Sequence, residues 1–246
     1  MSLGTADFQL ELPPKRQRGV PSWRILREKV VPEPSQVEEV TAKIQKLLEE
    51  KSKELQKVFN SSEEGKKEQT EADKRSKRTQ LPLTSGHPLI SQLQAALAKD
   101  GALREGFTEM GPSVALHSSA GCEQQPWHVD FNPIIHEGEE PDACIRGMQD
   151  SQKPKGVFWA IEEGSRLMVV GPAGESVEVH LEKGEVLIFD GDLVHAGAAY
   201  VESNVRVHVY LYASGMPKPN GNTYMVPGFV PVSKVHVMSA DRARAM

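Results

Sequence analysis

Three side chains in this 246-residue sequence are of the types, and stand at the spacing, that hold a divalent metal. His128 and Asp130 lie two residues apart in QQPWHVDF, Gln124–Phe131, an alternating, strand-like run. In a strand, residues i and i+2 point to one face, so the imidazole and the carboxylate project together. His195 comes much later, in GEVLIFDGDLVHAGAAY, Gly184–Tyr200, on a short strand that follows an Asp-Gly-Asp turn. Two imidazoles and one carboxylate make the facial donor set that leaves iron with open positions. Eleven residues past His195 stands Arg206, inside VRVHVYLY, Val205–Tyr212, where Val205, Val207, Val209 and Leu211 alternate with Arg206, His208, Tyr210 and Tyr212. One face of that strand is aliphatic. The other carries an arginine that needs an anion if it is buried, and a dicarboxylate beside the metal would supply one.

Taken in order, H-x-D, a distal histidine in a "GD…H-aliphatic-G" turn and an arginine some ten residues on resemble the iron(II)- and 2-oxoglutarate-dependent dioxygenases, over about residues 113–213. The resemblance implies a double-stranded β-helix, with His128, Asp130 and His195 as the catalytic metal ligands and Arg206 pairing the far carboxylate of 2-oxoglutarate. The implied reaction consumes O2, converts 2-oxoglutarate to succinate and CO2, and places a hydroxyl on a substrate. Halogenating relatives have a halide where the carboxylate would be, so Asp130 favours hydroxylation or a hydroxylation-triggered demethylation. His208 stands on the Arg206 face, where many members have a serine or another small hydroxyl as a second co-substrate contact. Tyr210, Ser118 and His117 are the candidates to replace it.

Each residue also has a plainer reading. His128 and His195 read as satisfied histidines, Asp130 as a turn carboxylate at a strand end, and Arg206 as a surface residue on an edge strand. Trp127 and Trp159 read as packing. His87, His136, His180 and His236 have no spacing argument and read as surface residues. Three rival functions follow: a non-catalytic cupin-like ligand-binding module, a Zn(II) or Mn(II) hydrolase or isomerase, and an interaction platform whose business lies in an N-terminal helix. Nothing in the hydrolase chemistry explains Arg206.

The elements that must position these residues are mostly short strands. Eight are expected: Ser113–Ser118, Trp127–Phe131, Gly156–Glu162, Arg166–Val170, Ser176–Leu181, Glu185–Phe189, Leu193–Gly197 and Val205–Ala213, punctuated by Gly171-Pro172, Gly184 and Gly191. Eight strands suit a jelly roll, so the fold class is mainly β with flanking helices. One helix is expected to start near Pro88, with Leu89, Ile90, Leu93, Ala96 and Leu97 on its apolar face and Gly101 just past its end. Ser35-Gln-Val-Glu38 has the pattern of a capping box that opens a helix to about Phe59, with Val37, Val40, Ile44, Leu47, Leu48, Leu55 and Val58 as its stripe, interrupted by Lys51. The plain expectation is that this helix packs on the domain.

Composition divides the chain at about residue 80. The first eighty residues sum to about +3 and the remainder to about −8, within a net charge of −5. Residues 60–80 contain almost nothing to bury and read as linker. We therefore expect a charged, partly helical extension over 1–80 and a jelly-roll oxygenase domain over 81–246. Basic clusters at Lys15–Arg18 and Lys74–Arg78 leave a nucleic-acid partner open but not favoured, since aromatic interleaving is absent apart from Trp23. Asn132–Gly156 is long for a barrel connection and acidic, which argues for a cationic or neutral substrate. With no signal peptide, no transmembrane-length apolar run and two cysteines, Cys122 and Cys144, the expected location is intracellular, cytoplasmic or nuclear, without a membrane partner.

Overall fold

The structure is a computed structural model. It describes residues 23–26, 28–50, 56–57, 77–103, 107–131, 153–213, 224–225, 230–231 and 236–239. The elements in chain order are β1 (Trp23–Ile25), α1 (Pro34–Glu49), β2 (Gln56–Lys57), β3 (Arg78–Leu83), α2 (Pro88–Asp100), β4 (Phe107–Ser118), β5 (His128–Val129), β6 (Lys155–Trp159), β7 (Ser165–Val170), β8 (Ser176–Leu181), β9 (Val186–Asp190), β10 (His195–Gly197), β11 (Asn204–Ala213), β12 (Tyr224–Met225) and β13 (His236–Ser239). The strands form two facing sheets, β1-β9-β6-β11-β4-β3-β2 and β12-β5-β10-β7-β8-β13. All eight expected strands are present, and the arrangement is the jelly roll, or double-stranded β-helix. No helix among the described residues is long and apolar enough to cross a membrane.

Period-two alternation sorts the larger sheet into two faces. Val157 and Trp159 of β6, Val186 and Ile188 of β9, and Val205, Val207, Val209 and Leu211 of β11 point outward. There they meet Val37, Val40, Ile44 and Leu47 of α1 and Leu89, Leu93 and Leu97 of α2. Phe158, Leu187 and Phe189 point inward and pack with Leu167, Val169, Val177 and Val179 of the smaller sheet. The helices thus cover one sheet from outside, and the space between the sheets is left for the site.

α2 follows the expected pattern: Pro88 occupies the first turn and Gly101 adopts φ 93 just past its end. His87, expected at the surface, is its N-cap, its ring accepting a hydrogen bond from Leu89 N at 3.3 Å. α1 departs from expectation at both ends. Pro34 occupies its first turn after the N-cap Glu33, which makes no side-chain cap, so Ser35 lies inside the helix and the Ser35–Glu38 capping box does not form. The helix does not run to Phe59: it ends at Glu49, and Gln56–Lys57 are a strand paired with Gln80 and Thr79. Leu55 and Val58 of the expected stripe lie outside the described residues.

The division at residue 80 is not a structural boundary among the described residues. Trp23, Arg24 and Ile25 pair with Phe189, Ile188 and Leu187, so β1 completes an edge of the larger sheet. Leu26 N and Val30 N continue that edge onto Val186 O and Gly184 O, and Trp159 Nε1 donates to Val30 O at 2.8 Å. Arg78–Gln80, expected in a linker, begin β3, which pairs along its length with Ser113–Ser118. β2 covers only Thr79 and Gln80, so Pro82, which has no N–H, falls where that side needs no donor. The clusters' other residues, Lys15–Arg18 and Lys74–Lys77 except Lys77 itself, lie outside the described residues, as do 132–152 of the acidic segment, His136 and Cys144. Cys122 is a buried free thiol. In the tail, β12 pairs with Val129 and His128 of β5.

Candidate metal centre

β5 and β10 are antiparallel neighbours whose register sets His195 directly opposite His128. The two rings approach edge-on, with centroids 4.4 Å apart. Just past β5, Asp130 N and Phe131 N both donate to Gly191 O in the turn that leads into β10. This clamp brings the carboxylate beside the second histidine, Asp130 Oδ1 lying 3.6 Å from His195 Nε2. His128, Asp130 and His195 are all buried, and one donor atom from each lies within 4.8 Å of the others.

The backbone also selects the tautomers. His128 Nδ1 lies 2.8 Å from Pro126 O and His195 Nδ1 lies 2.9 Å from Leu193 O. A carbonyl only accepts, so each Nδ1 carries the proton and each Nε2 presents its lone pair to the shared space. Burial foremost, and then the neighbouring His195, lowers the His128 imidazole to about 3 against an opposing pull from Asp130. Burial lowers His195 too, opposed by Asp130. Burial pushes the Asp130 carboxyl up, but His195, His208 and His128 together outweigh it and hold it well below its ordinary range. The result is two neutral imidazoles and one carboxylate, the protonation states that bind a divalent metal. Asp130 Oδ2 is buried and, among the described residues, has no well-aligned donor, with His208 Nε2 standing 3.4 Å away. Such an atom calls for a cation or a donor. The residues present fit a metal ion.

Arg206 lines the same cavity as His128, Asp130 and His195, a space of about 70 Å³ whose walls also include Phe158, Phe189, Leu167, Gln80, Gln125, His208 and Tyr210. It is 1% exposed, so the edge-strand reading fails. Its Nη1 donates to Ser118 Oγ at 2.8 Å, its Nε has no acceptor among the described residues, and the rings of Phe158 and Tyr200 flank it at 5.5 and 5.2 Å. Among the described residues no carboxylate pairs with it. A buried guanidinium in that state is a site for an anion.

The remaining candidates separate. Tyr210 faces the cavity on the metal side, edge-on to Phe131 and His208. Burial foremost, and then the Asp130 carboxylate, keeps its phenol protonated and so able to donate. Ser118 is fully buried behind Arg206 and is not part of the cavity wall. His117 faces away from the cavity toward Thr79 Oγ1, 3.5 Å from its ring, so it is not a second contact. Trp159 packs in the outer core, and half-buried Trp127 packs against the cluster of Cys122, Met168, Ala196, Ala198 and Tyr200. The sequence reading missed Gln80, Gln125 and Arg78. Gln125 is pinned to the second ligand strand: its Oε1 accepts from Gly197 N at 2.8 Å and its N donates to Gly197 O. Arg78, read as part of a basic cluster, is 3% exposed and donates to Ser118 Oγ. The alternation of Gln80 and Pro82 with Leu81 and Leu83 was the signal for Gln80, and nothing local marked Arg78.

No protein-family model matches this sequence, and no curated protein matches it. Solved structures do. A prolyl hydroxylase from Trichoplax adhaerens, in complex with a peptide fragment of the hypoxia inducible factor oxygen degradation domain, superposes with a TM-score of 0.51 at 10% identity, over 78% of this chain and 84% of that one. The non-heme alpha ketoglutarate dependent carbocyclase SnoK from nogalamycin biosynthesis superposes with a TM-score of 0.50 at 12% identity, over 78% of this chain and 80% of that one. The chain therefore shares its fold, the double-stranded β-helix, with that prolyl hydroxylase and that carbocyclase.

Proposed function

We propose that this chain is an Fe(II)- and 2-oxoglutarate-dependent dioxygenase that hydroxylates, or oxidatively demethylates, a substrate. One observation carries the reading. A two-histidine, one-aspartate donor set and a buried arginine with no carboxylate partner among the described residues line one cavity. A hydrolase or a passive metal-binding module has use for the first and none for the second.

His128 Nε2, Asp130 and His195 Nε2 would hold Fe(II), which when bound supplies the activation of O2 coupled to decarboxylation of 2-oxoglutarate to succinate and CO2. Arg206 would bind the far carboxylate, since its fork matches a carboxylate in two parallel hydrogen bonds. Phe158, Phe189 and Leu167 line the space between and exclude water from it. Tyr210 would offer its hydroxyl at the metal end of the cavity. Ser118 would act from behind, by holding Arg206.

Anaerobic addition of Fe(II) and then 2-oxoglutarate to the metal-free protein tests this. A visible charge-transfer band is expected in the wild type. His128→Ala should abolish it, and Arg206→Met should need at least about tenfold more 2-oxoglutarate, the size of one charge-assisted hydrogen bond. Iron binding without a band in the wild type would refute the co-substrate assignment. No metal binding would refute the centre.

A further inference from the structure

Arg206 depends on very little for its orientation. Among the described residues it makes one hydrogen bond, to Ser118 Oγ, and a guanidinium held by one bond and two ring faces can still swing about that bond. What fixes the hydroxyl is a second arginine. Arg78 Nε donates to the same Ser118 Oγ at 3.1 Å. A hydroxyl oxygen has two lone pairs, and the two arginines use both. Arg78 is tied down in turn: Nη1 donates to Glu123 O at 2.7 Å, and Nη2 to Ala198 O and, at 3.4 Å, to Gly197 O. Gly197 ends the strand that begins with His195. One chain of hydrogen bonds therefore runs from the second metal-ligand strand through Arg78 and Ser118 to Arg206.

Arg78 is not part of the cavity wall, so it cannot touch a small anion there. Its effect must pass through Ser118. The two guanidinium groups also put two positive charges around one hydroxyl, both buried. That arrangement disfavours itself until an anion arrives at Arg206.

From this geometry we infer that Arg78 is a positioning residue for the anion-binding arginine: through Ser118 it fixes the Arg206 fork for the far carboxylate of a dicarboxylate ligand. The inference rests on the co-substrate reading above. It makes β3, far from the metal-ligand motif in sequence, part of the selectivity of the site. A residue that works only on the far carboxylate leaves the metal and the keto-acid end of the ligand alone, and this separates it from a residue that merely holds the fold.

The test is calorimetric titration of the full chain, loaded with Mn(II), with 2-oxoglutarate and with 2-oxobutyrate, which is the same keto acid without the far carboxylate. The wild type should prefer 2-oxoglutarate. Arg78→Met should weaken 2-oxoglutarate binding at least about tenfold and leave 2-oxobutyrate and Mn(II) within about twofold. Ser118→Ala cuts the same link while keeping the carbonyl bonds of Arg78, and it should show the same selective loss. Equal loss of both ligands in these variants, or an unchanged preference in Ser118→Ala, overturns the inference, and the second result does so even if Arg78→Met fails to fold. A wild type with no preference for 2-oxoglutarate overturns the co-substrate reading itself, and this inference with it.

Discussion

Acidifying the metal-free protein should destabilise it by an amount set largely by His128. In the unfolded chain this imidazole takes a proton at its ordinary value of 6.5; in the folded protein, burial and the adjacent His195 lower that value to about 3. Between those limits the unfolded chain binds a proton that the folded chain refuses. Stability is therefore fully present above pH 6.5 and falls as the pH drops, by about 1.4 kcal/mol per pH unit for this group. His195, lowered by burial, adds in the same direction. Asp130 adds below its ordinary carboxylate value, because its folded form also refuses the proton. From pH 7.5 to pH 4.5, His128 alone removes about 3 kcal/mol, a large share of the roughly 5–15 kcal/mol that holds a domain together. Urea unfolding in chelator, followed by tryptophan fluorescence at several pH values, measures the slope. His128→Asn should lower it by about 1.4 kcal/mol per unit between pH 6 and 4.5. Equal slopes in the two proteins, or wild-type stability that rises on acidification, would refute the argument that burial and the Pro126 carbonyl keep Nε2 bare. The same reasoning expects little change in metal affinity between pH 7.5 and 6.5, since His128 has no proton to surrender.

The candidate metal-binding residues and Arg206 could be read from sequence because His128, His195 and Arg206 sit on strands and Asp130 directly follows one, with faces fixed by period two. His128 and Asp130 share a face by spacing alone, and Arg206 alternates with a run of valines that must pack outward. Arg78 could not be read that way. It ends a run of lysines and arginines whose composition says solvent, and its burial is decided by pairing with Ser118, forty residues away. Arg78 ranks as part of a surface patch only if β3 is unknown. β1 is three residues long, too short for an alternation to register, and it becomes a strand because β9 offers it an edge. The end of α1 was hidden for a different reason. Apolar residues continue at helical spacing past Glu49, so the pattern alone has no stop, whereas the pairing of Gln56 with Gln80 imposes one. At its start, the Ser35–Glu38 pattern was present, and Pro34 in the first turn made it unusable. The unread parts are thus those set by contacts distant in sequence, and they include Arg78, which shares Ser118 Oγ with Arg206.

Two further substitutions test the packing that supports the site. In Gly156→Ala a Cβ would stand 2.3 Å from Phe189 Cζ, and the Phe189 ring lies 4.8 Å from that of His195, so the ring would be driven toward the metal ligand. Overpacking of this kind costs about 1–3 kcal/mol, and we expect a lower melting temperature together with weaker metal binding. Phe158 and Trp159 are adjacent in sequence, and the alternation of β6 sends them to opposite faces, Phe158 to the cavity beside Arg206 and Trp159 to the helix layer. Trp159→Phe removes the hydrogen bond to Val30 O and leaves a gap, which should cost about 2–4 kcal/mol of stability with 2-oxoglutarate affinity unchanged. Phe158→Leu should do the reverse, weakening 2-oxoglutarate a few-fold, about the worth of one cation–π contact, with a smaller loss of stability. Melting curves and calorimetry on the pair read both quantities. If Trp159→Phe changes affinity as much as Phe158→Leu does, then the inner and outer faces of the sheet are not energetically separate, and the site cannot be assigned to the inner face alone.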